Sequence, residues 1–259
     1  MNHFHLNYVS AACSPFKSFL KRDYLKGWQV AIILLVLNAM MLFPLSLQIG
    51  QLKYVNLEDY APQSSQLIDG QLINELQKQT NETTTAPTAF ELTREKGKAN
   101  IRLTDQSFEL SESKGGKVAG KWLNPVDWTT INQPQQLKQL VTENWLAQNR
   151  IPIALSLLMN ISILTGVSLL LVWLGTTVFL YLTKFSKMFS ITTWREAWHV
   201  SLNWLFLPTA FAMIIGFITK NPGSMLTFHG FLYVGMILWS YWKTHLNDAY
   251  AKRVMNQMD

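Results

Sequence analysis

Apolar residues gather into four blocks, Trp28 to Leu47, Ile161 to Leu182, Val200 to Ile218 and Met225 to Trp242, with polar stretches of unequal length between them. A hydrocarbon core of about 30 Å takes about 20 helical residues to cross, at about 1.5 Å each. Each block is near that length, and none contains Asp or Glu. The pattern predicts an α-helical integral membrane protein with four transmembrane helices, at 28–48, 151–183, 200–218 and 225–242. A basic segment at 1–27 precedes them. An α+β module at 49–150, an interfacial helix at 184–199 and a short turn at 219–224 connect them, and a tail follows at 243–259. As one helix, 151–183 would measure about 50 Å. Part of it must therefore project beyond the bilayer as a stiff lead from the module, or the helix must tilt.

The period of the pattern changes between the first two blocks. In "SSQLIDGQLINELQKQ", Leu67, Ile68, Leu72, Ile73 and Leu76 share one helical stripe. "TNETTTAPT" is a polar linker. "AFELTREKGKANIRL" then alternates, with Phe90 and Leu92 before a turn at Gly97 and Ile101 and Leu103 after it, the mark of a hairpin. "QSFELSESKGGKVAGKW" adds two more short strands around a Gly115–Gly116 turn. "QPQQLKQLVTENWLAQ" returns to helical spacing through Leu137, Leu140, Val141 and Trp145. The module shows no cluster of His or Asp, no Gly-rich phosphate loop and no nucleophile motif. Asn81-Glu82-Thr83 matches a glycosylation acceptor, which matters only in a eukaryotic secretory route, and no sugar is expected there.

Charge orients this layout. Lys and Arg number 22 against 16 Asp and Glu, for a net charge of +6. The excess sits in three places: Lys17, Lys21, Arg22 and Lys26 before the first block; Lys184, Lys187 and Arg195 between the second and third; Lys243, Lys252 and Arg253 after the fourth. Segment 49–150 is close to neutral. Four crossings put all three basic regions on one face, so the positive-inside rule predicts cytoplasmic termini and an extracytoplasmic module. That bias and anionic headgroups account for the basic balance without nucleic acid. The single cysteine, Cys13, excludes an intrachain disulfide and a Cys-based zinc site. The first block is longer than a signal-peptide core and ends in "FPLSLQIG", a poor cleavage site, so it reads as an uncleaved anchor. Ahead of it, in "SPFKSFLKRDYLK", Ser14 can cap and Pro15 can open a helix with Phe16, Phe19, Leu20 and Tyr24 on one side. This is either an interfacial helix on an anionic leaflet or a plain basic flank of the span.

The chemistry-bearing residues collect at the third block, in "TTWREAWHVSLNWLFLPTAF". Arg195, His199 and Asn203 are spaced by four and share a face, and Glu196 can reach His199 three positions on. A Glu-x-x-His element occurs in di-metal bundles, but those sites use two copies and further carboxylates. There is one copy here, so no metal or cofactor is expected. Acid–base catalysis needs a nucleophile or a second titrating group nearby. None stands beside the cluster, so no catalytic residue and no enzyme are expected. Trp194, Trp198 and Trp204 mark an interface instead. Arg195 would snorkel to headgroups and His199 would lie near the surface, while Asn203 would reach inward towards His229 or Asn38. Asn38 itself needs a partner helix. His229, beside Gly230, reads as a proton-sensitive or ligand-contacting group or as half of an interhelical hydrogen bond. The small pairs Ser162 and Gly166, and Ala212 and Gly216, permit close helix packing.

The basic "SPFKSFLKRDYLKGW" lead, one span, a module of about 100 residues and three further spans, the third opened by "TWREAWHVSLNWLFLPTAF", resemble a poorly characterised family of four-span membrane proteins. They occur mainly in Gram-positive bacteria, and some members carry the label maltodextrin-utilisation protein. The family is distantly grouped with Yip-type multi-span proteins, in which a short helix ahead of a span and a mid-span Pro recur; Pro208 fits that pattern. The resemblance implies a multi-pass protein of the bacterial plasma membrane. Its role would be that of a non-enzymatic accessory or regulatory protein in maltodextrin uptake or utilisation. Its partners would be the lipid bilayer and another membrane protein, such as a sugar-transporter subunit, or a second copy. No catalytic residues come with the resemblance. The residues also admit a small oligomeric transporter or channel subunit with Asn38, Asn160, Asn203 and His229 on a shared polar lining.

Overall fold

The computed structural model describes residues 4–22, 24–51, 55–83, 91–97, 99–113, 116–186 and 189–257. In chain order the helices are α1 (Phe4–Ala12), α2 (Pro15–Leu20), α3 (Gly27–Gly50), α4 (Pro62–Ser65), α5 (Gly70–Thr83), α6 (Pro134–Leu182), α7 (Trp194–Thr219), α8 (Pro222–Thr244) and α9 (Asp248–Asn256). The strands β1 (Glu91–Lys96), β2 (Ala99–Thr104), β3 (Ser107–Glu112) and β4 (Lys117–Lys121) lie between α5 and α6. The chain forms two compact units, Met1–Gly50 with Ser156–Asp259, and Gln51–Leu155.

The first unit is all helical. Gly27–Gly50, Pro134–Phe185 and Trp194–Thr219 are long and apolar enough to cross a membrane. Helix α8 has 23 residues, but its apolar content is diluted by His229, Tyr233, Ser240 and Tyr241. Helix α3 turns Leu37, Met41 and Leu45 inward and exposes Leu35, Val36 and Phe43. Helices α7 and α8 form a hairpin. Lys220 ends α7 in the left-handed region at φ 52°, and the Asn221 side chain accepts the Ser224 N–H as Pro222 opens α8. Gly216 is required where the helices meet. A Cβ there would stand 2.8 Å from both Met225 Sδ and Pro44 Cγ. The sequence motif of Ala212 and Gly216 thus serves close approach, and α3 continues as helix through Pro44.

The segment ahead of α3 differs from its expected form. The helix there spans only Pro15–Leu20, and Pro15, Phe16, Ser18 and Phe19 are buried. It packs on α7 and α8, while α1 packs on α7 and on α2. The Tyr8 hydroxyl donates to Leu202 O at 3.0 Å, and Tyr8 meets Phe206 edge to face. An apolar stripe of Phe16 and Phe19 is covered equally well by lipid or by helices, and here the helices cover it.

The second unit is a four-stranded antiparallel meander, in the order β1-β2-β3-β4, with helices. Alternation sets the register. Leu92 pairs with Leu103, Leu103 with Phe108, Ile101 with Leu110, and Leu110 with Val118, and all of these are buried. Gly97 turns the first hairpin at φ 65°. Phe90 and Gly115 lie outside the described residues. The expected stripe from Leu67 to Leu76 is broken in two. Leu67 and Ile68 precede the helix, and Asp69 starts α5 by accepting the Leu72 N–H at 2.9 Å. All five stripe residues are nonetheless buried. The sheet edge at β4 is closed by side chains of α6. Gln148 accepts from Lys121 N at 3.0 Å and donates to Lys121 O at 2.6 Å, imitating a neighbouring strand. Helix α6 leaves helical geometry at Asn149 (φ −115°, ψ 20°), three residues before Pro152.

Candidate functional site

The polar residues singled out at the head of α7 do not form one site. Glu196 first serves its own helix. Thr193 and Glu196 make a reciprocal capping box, and Glu196 Oε2 accepts the N–H groups of Thr192 at 2.8 Å and Thr193 at 3.0 Å. Its other oxygen accepts from Arg22 Nε at 3.2 Å rather than meeting His199. The Arg22 guanidinium is the hub of this region. It forks onto Asp248 at 2.6 and 2.8 Å, donates to Ser190 O at 3.2 Å and lies 4.8 Å from the Phe19 ring. Its side chain is only 10% exposed. Burial alone would lower its pKa, but the hydrogen bonds and charges of Asp248 and Glu196 raise it, so it stays cationic. Ser190 also accepts the Asp248 N–H at 3.0 Å and donates its own N–H to Leu246 O at 2.9 Å. The end of α2 and the starts of α7 and α9 are thereby pinned to one another.

His199 and Asn203 point at the N-terminal segment. His199 is 3% exposed, not near the surface. Its ring nitrogens sit 2.7 Å from Arg195 O and 3.1 Å from Leu25 O. Asn203 is fully buried and reaches neither His229 nor Asn38. It donates to Ser18 O at 2.9 Å and Lys21 O at 3.0 Å, and accepts from the Tyr24 hydroxyl at 3.2 Å. Those two carbonyls sit where α2 ends, with no helical turn to receive them. Trp204 Nε1 adds a bond to Ser18 Oγ at 3.2 Å. Arg195 itself is exposed.

The remaining residues are engaged elsewhere. Asn38 donates to Ser162 Oγ at 3.2 Å and accepts from Thr165 Oγ1 at 2.6 Å, both on α6. Gly166 lies beside it, where a Cβ would make only an ordinary contact, 3.5 Å from the Asn38 amide nitrogen. His229 is buried and pairs with Thr209 Oγ1 of α7 at 3.2 Å. Asn160 is exposed. Among the described residues no three His, Cys, Asp or Glu side chains come together as metal ligands. The second unit holds a cavity of about 550 Å³ beside Asn124, Asp127, Gln136 and Asn144. Three of these side chains already serve the fold. Asp127 accepts from Thr129, Gln136 from Asn132 and Gln133, and Asn144 from Leu123.

Sequence reasoning overlooked Arg22 and Asp248. The available signal was the scarcity of acids in otherwise basic stretches. A carboxylate kept there, such as Glu196 or Asp248, has a reason to be near a cation. Ser18 and Tyr8 carried no periodic signal, and Tyr24 stood only on the apolar stripe with Phe16 and Phe19.

Comparison with known proteins gives one partial likeness. The chain is 37% identical over 112 residues to the maltodextrose utilization protein MalA of Streptococcus pneumoniae. The match covers 43% of this chain and 42% of that protein, less than half the length of either. No family model matches the chain, and no solved structure matches it.

Proposed function

We propose that the chain is a multi-pass protein of a bacterial plasma membrane with an accessory or regulatory, non-enzymatic role in maltodextrin utilisation. Helix α8 is its fourth span, both termini face the cytoplasm and the sheet unit lies outside. The sugar association rests on the partial likeness to the pneumococcal protein. One structural observation supports an accessory role over a conducting one. Asn38, Asn203 and His229 are each consumed by a separate intramolecular contact, so these three share no polar lining within one chain. The outward faces of α3 and α6 are apolar, through residues such as Leu35, Val36, Leu171 and Phe179, and suit lipid or a partner helix. The test is mass spectrometry of what co-purifies with the tagged protein from native membranes in mild detergent. A stoichiometric sugar-transporter subunit is the expected outcome. Recovery of the protein alone, together with solute flux in liposomes, would replace this reading with a transporter.

A further inference from the structure

Within the helical unit, α6 has two faces of different period. One packs inside the chain through Thr165, Leu169, Trp173 and Thr177, all buried and stepping by four. Thr165 donates to Asn38 at 2.6 Å, Trp173 Nε1 to Trp198 O at 3.1 Å, and Thr177 shares a hydrogen bond with Ser201 at 2.7 Å. The opposite face carries Asn160, Leu164, Val167, Leu171, Leu174 and Val178, at alternating steps of four and three, and all six are exposed. Those steps average 3.5 residues, the repeat of a seam between two supercoiled helices.

The one polar member of this stripe lies deep. Asn38 is the twelfth of the 24 residues of α3 and bonds to Ser162, which puts Ser162 near the middle of that span. Asn160 is two positions from Ser162, about 3 Å along the axis. Among the described residues none bonds to its amide. Each carboxamide has both a donor and an acceptor to satisfy, and hydrocarbon offers neither.

We propose that two copies of this chain pair through this face of α6 in a parallel seam, with the two Asn160 amides bonded to each other. This rests on the membrane reading of the chain. Copies of one chain insert the same way up, so a twofold axis along the membrane normal brings identical residues together at identical depth. A carboxamide is its own complement there, since each donates its N–H to the oxygen of the other. Any other protein would need an amide of its own at that depth, and lipid tails have none. Apolar contact alone gives little drive in a solvent as apolar as leucine, so the amides supply the preference and fix the register.

The experiment is oxidative cross-linking in native membranes, after Cys13→Ser removes the single native thiol. Val167→Cys and Leu171→Cys, on the seam, are expected to give a covalent dimer. Met159→Cys and Phe179→Cys, at positions as exposed but about a quarter-turn off the seam, are expected to give little. Asn160→Leu should weaken pairing about tenfold, read by energy transfer between labelled copies diluted into liposomes, and Asn160→Gln should keep most of it. The Asn160 amide bonds to nothing within the chain, so the melt of the detergent-dispersed monomer should not fall in either variant. Equal cross-linking at all four positions, or undiminished pairing in Asn160→Leu, overturns the proposal. So does a monomeric wild type, which would leave the face to lipid, or a seam cysteine caught on a different protein in place of a second copy. Recovery of the protein in the soluble fraction without detergent would instead sink the membrane reading, and shows before any cross-linking.

Discussion

The helical unit and the sheet unit use their polar side chains in opposite ways. In the sheet unit the polar contacts span fewer positions, up to the 80 between Glu58 and Lys138. Asp69 caps α5 three positions ahead and pairs with Arg94 25 positions on, and Gln148 closes the β4 edge 27 positions back. In the helical unit Arg22 reaches Glu196 across 174 positions and Asp248 across 226, and Asn203 reaches Ser18 across 185. A polar atom buried among apolar helices must find a partner wherever the chain supplies one, because an unmet donor or acceptor costs about 1–3 kcal/mol. The sheet unit can leave such groups to water. The helical unit therefore joins polar groups across 174 to 226 positions, while the contacts of the sheet unit reach no further than 80 among the described residues.

Removing the hub should separate the two most sharply. Arg22→Met leaves Glu196 and Asp248 without their cation. It should cost the helical unit about 3 kcal/mol in a thermal melt in detergent, near the low end for a broken buried pair because both acids are partly exposed. Hydrogen exchange in the β-strands should stay unchanged. Arg22→Lys should restore only part of the loss, since an ammonium cannot fork onto Asp248. Gly216→Leu comes next, at about 2–3 kcal/mol, because its side chain must displace Pro44 or Met225. Asn203→Leu should cost about 2 kcal/mol by orphaning the carbonyls of Ser18 and Lys21. Limited proteolysis should then cut first at the N-terminal segment. A melt of Asn203→Leu as stable as wild type would show that these long bonds do not hold the unit.

The smallest effect belongs to the sheet unit. Asp69→Ala should cost about 1 kcal/mol, the usual worth of an N-cap. Partial burial pushes the Asp69 carboxyl up, but the Leu72 N–H and Arg94 outweigh it and hold it below its ordinary value. A carboxylate with a lowered folded pKa stabilises above its unfolded pKa and loses that contribution as pH falls through the folded value. The difference between Asp69→Ala and wild type should accordingly be full at neutral pH and shrink below about pH 4. Denaturant unfolding monitored by hydrogen exchange in α5 would check it. A difference independent of pH would assign the effect to helix propensity rather than to the charged cap.

Legibility follows the same division. Strands β1 to β4 were visible because Leu92, Ile101, Leu103, Phe108 and Leu110 alternate, and a period of two needs only neighbouring residues. The apolar blocks were visible from length and composition. The start of α5 was missed because the stripe from Leu67 to Leu76 continues through Asp69, and capping outweighed periodicity there. The partner of Glu196 was misjudged for a related reason. Three positions of spacing make His199 available, but an arginine offering a fork and a charge is the stronger partner.

The order of residues thus settles which stretches are helix or strand and which of their faces are apolar, since each depends on chemistry within a few positions. Where a glycine must stand at a helix contact, as at Gly216, depends on Pro44 and Met225 arriving there. Which buried amide meets which carbonyl is settled only when the helices assemble. Asn203 could have bonded to any polar group at its depth. Packing of α1 and α2 against α7 brought the end of α2 to it, and no local pattern encodes a contact made across 185 positions.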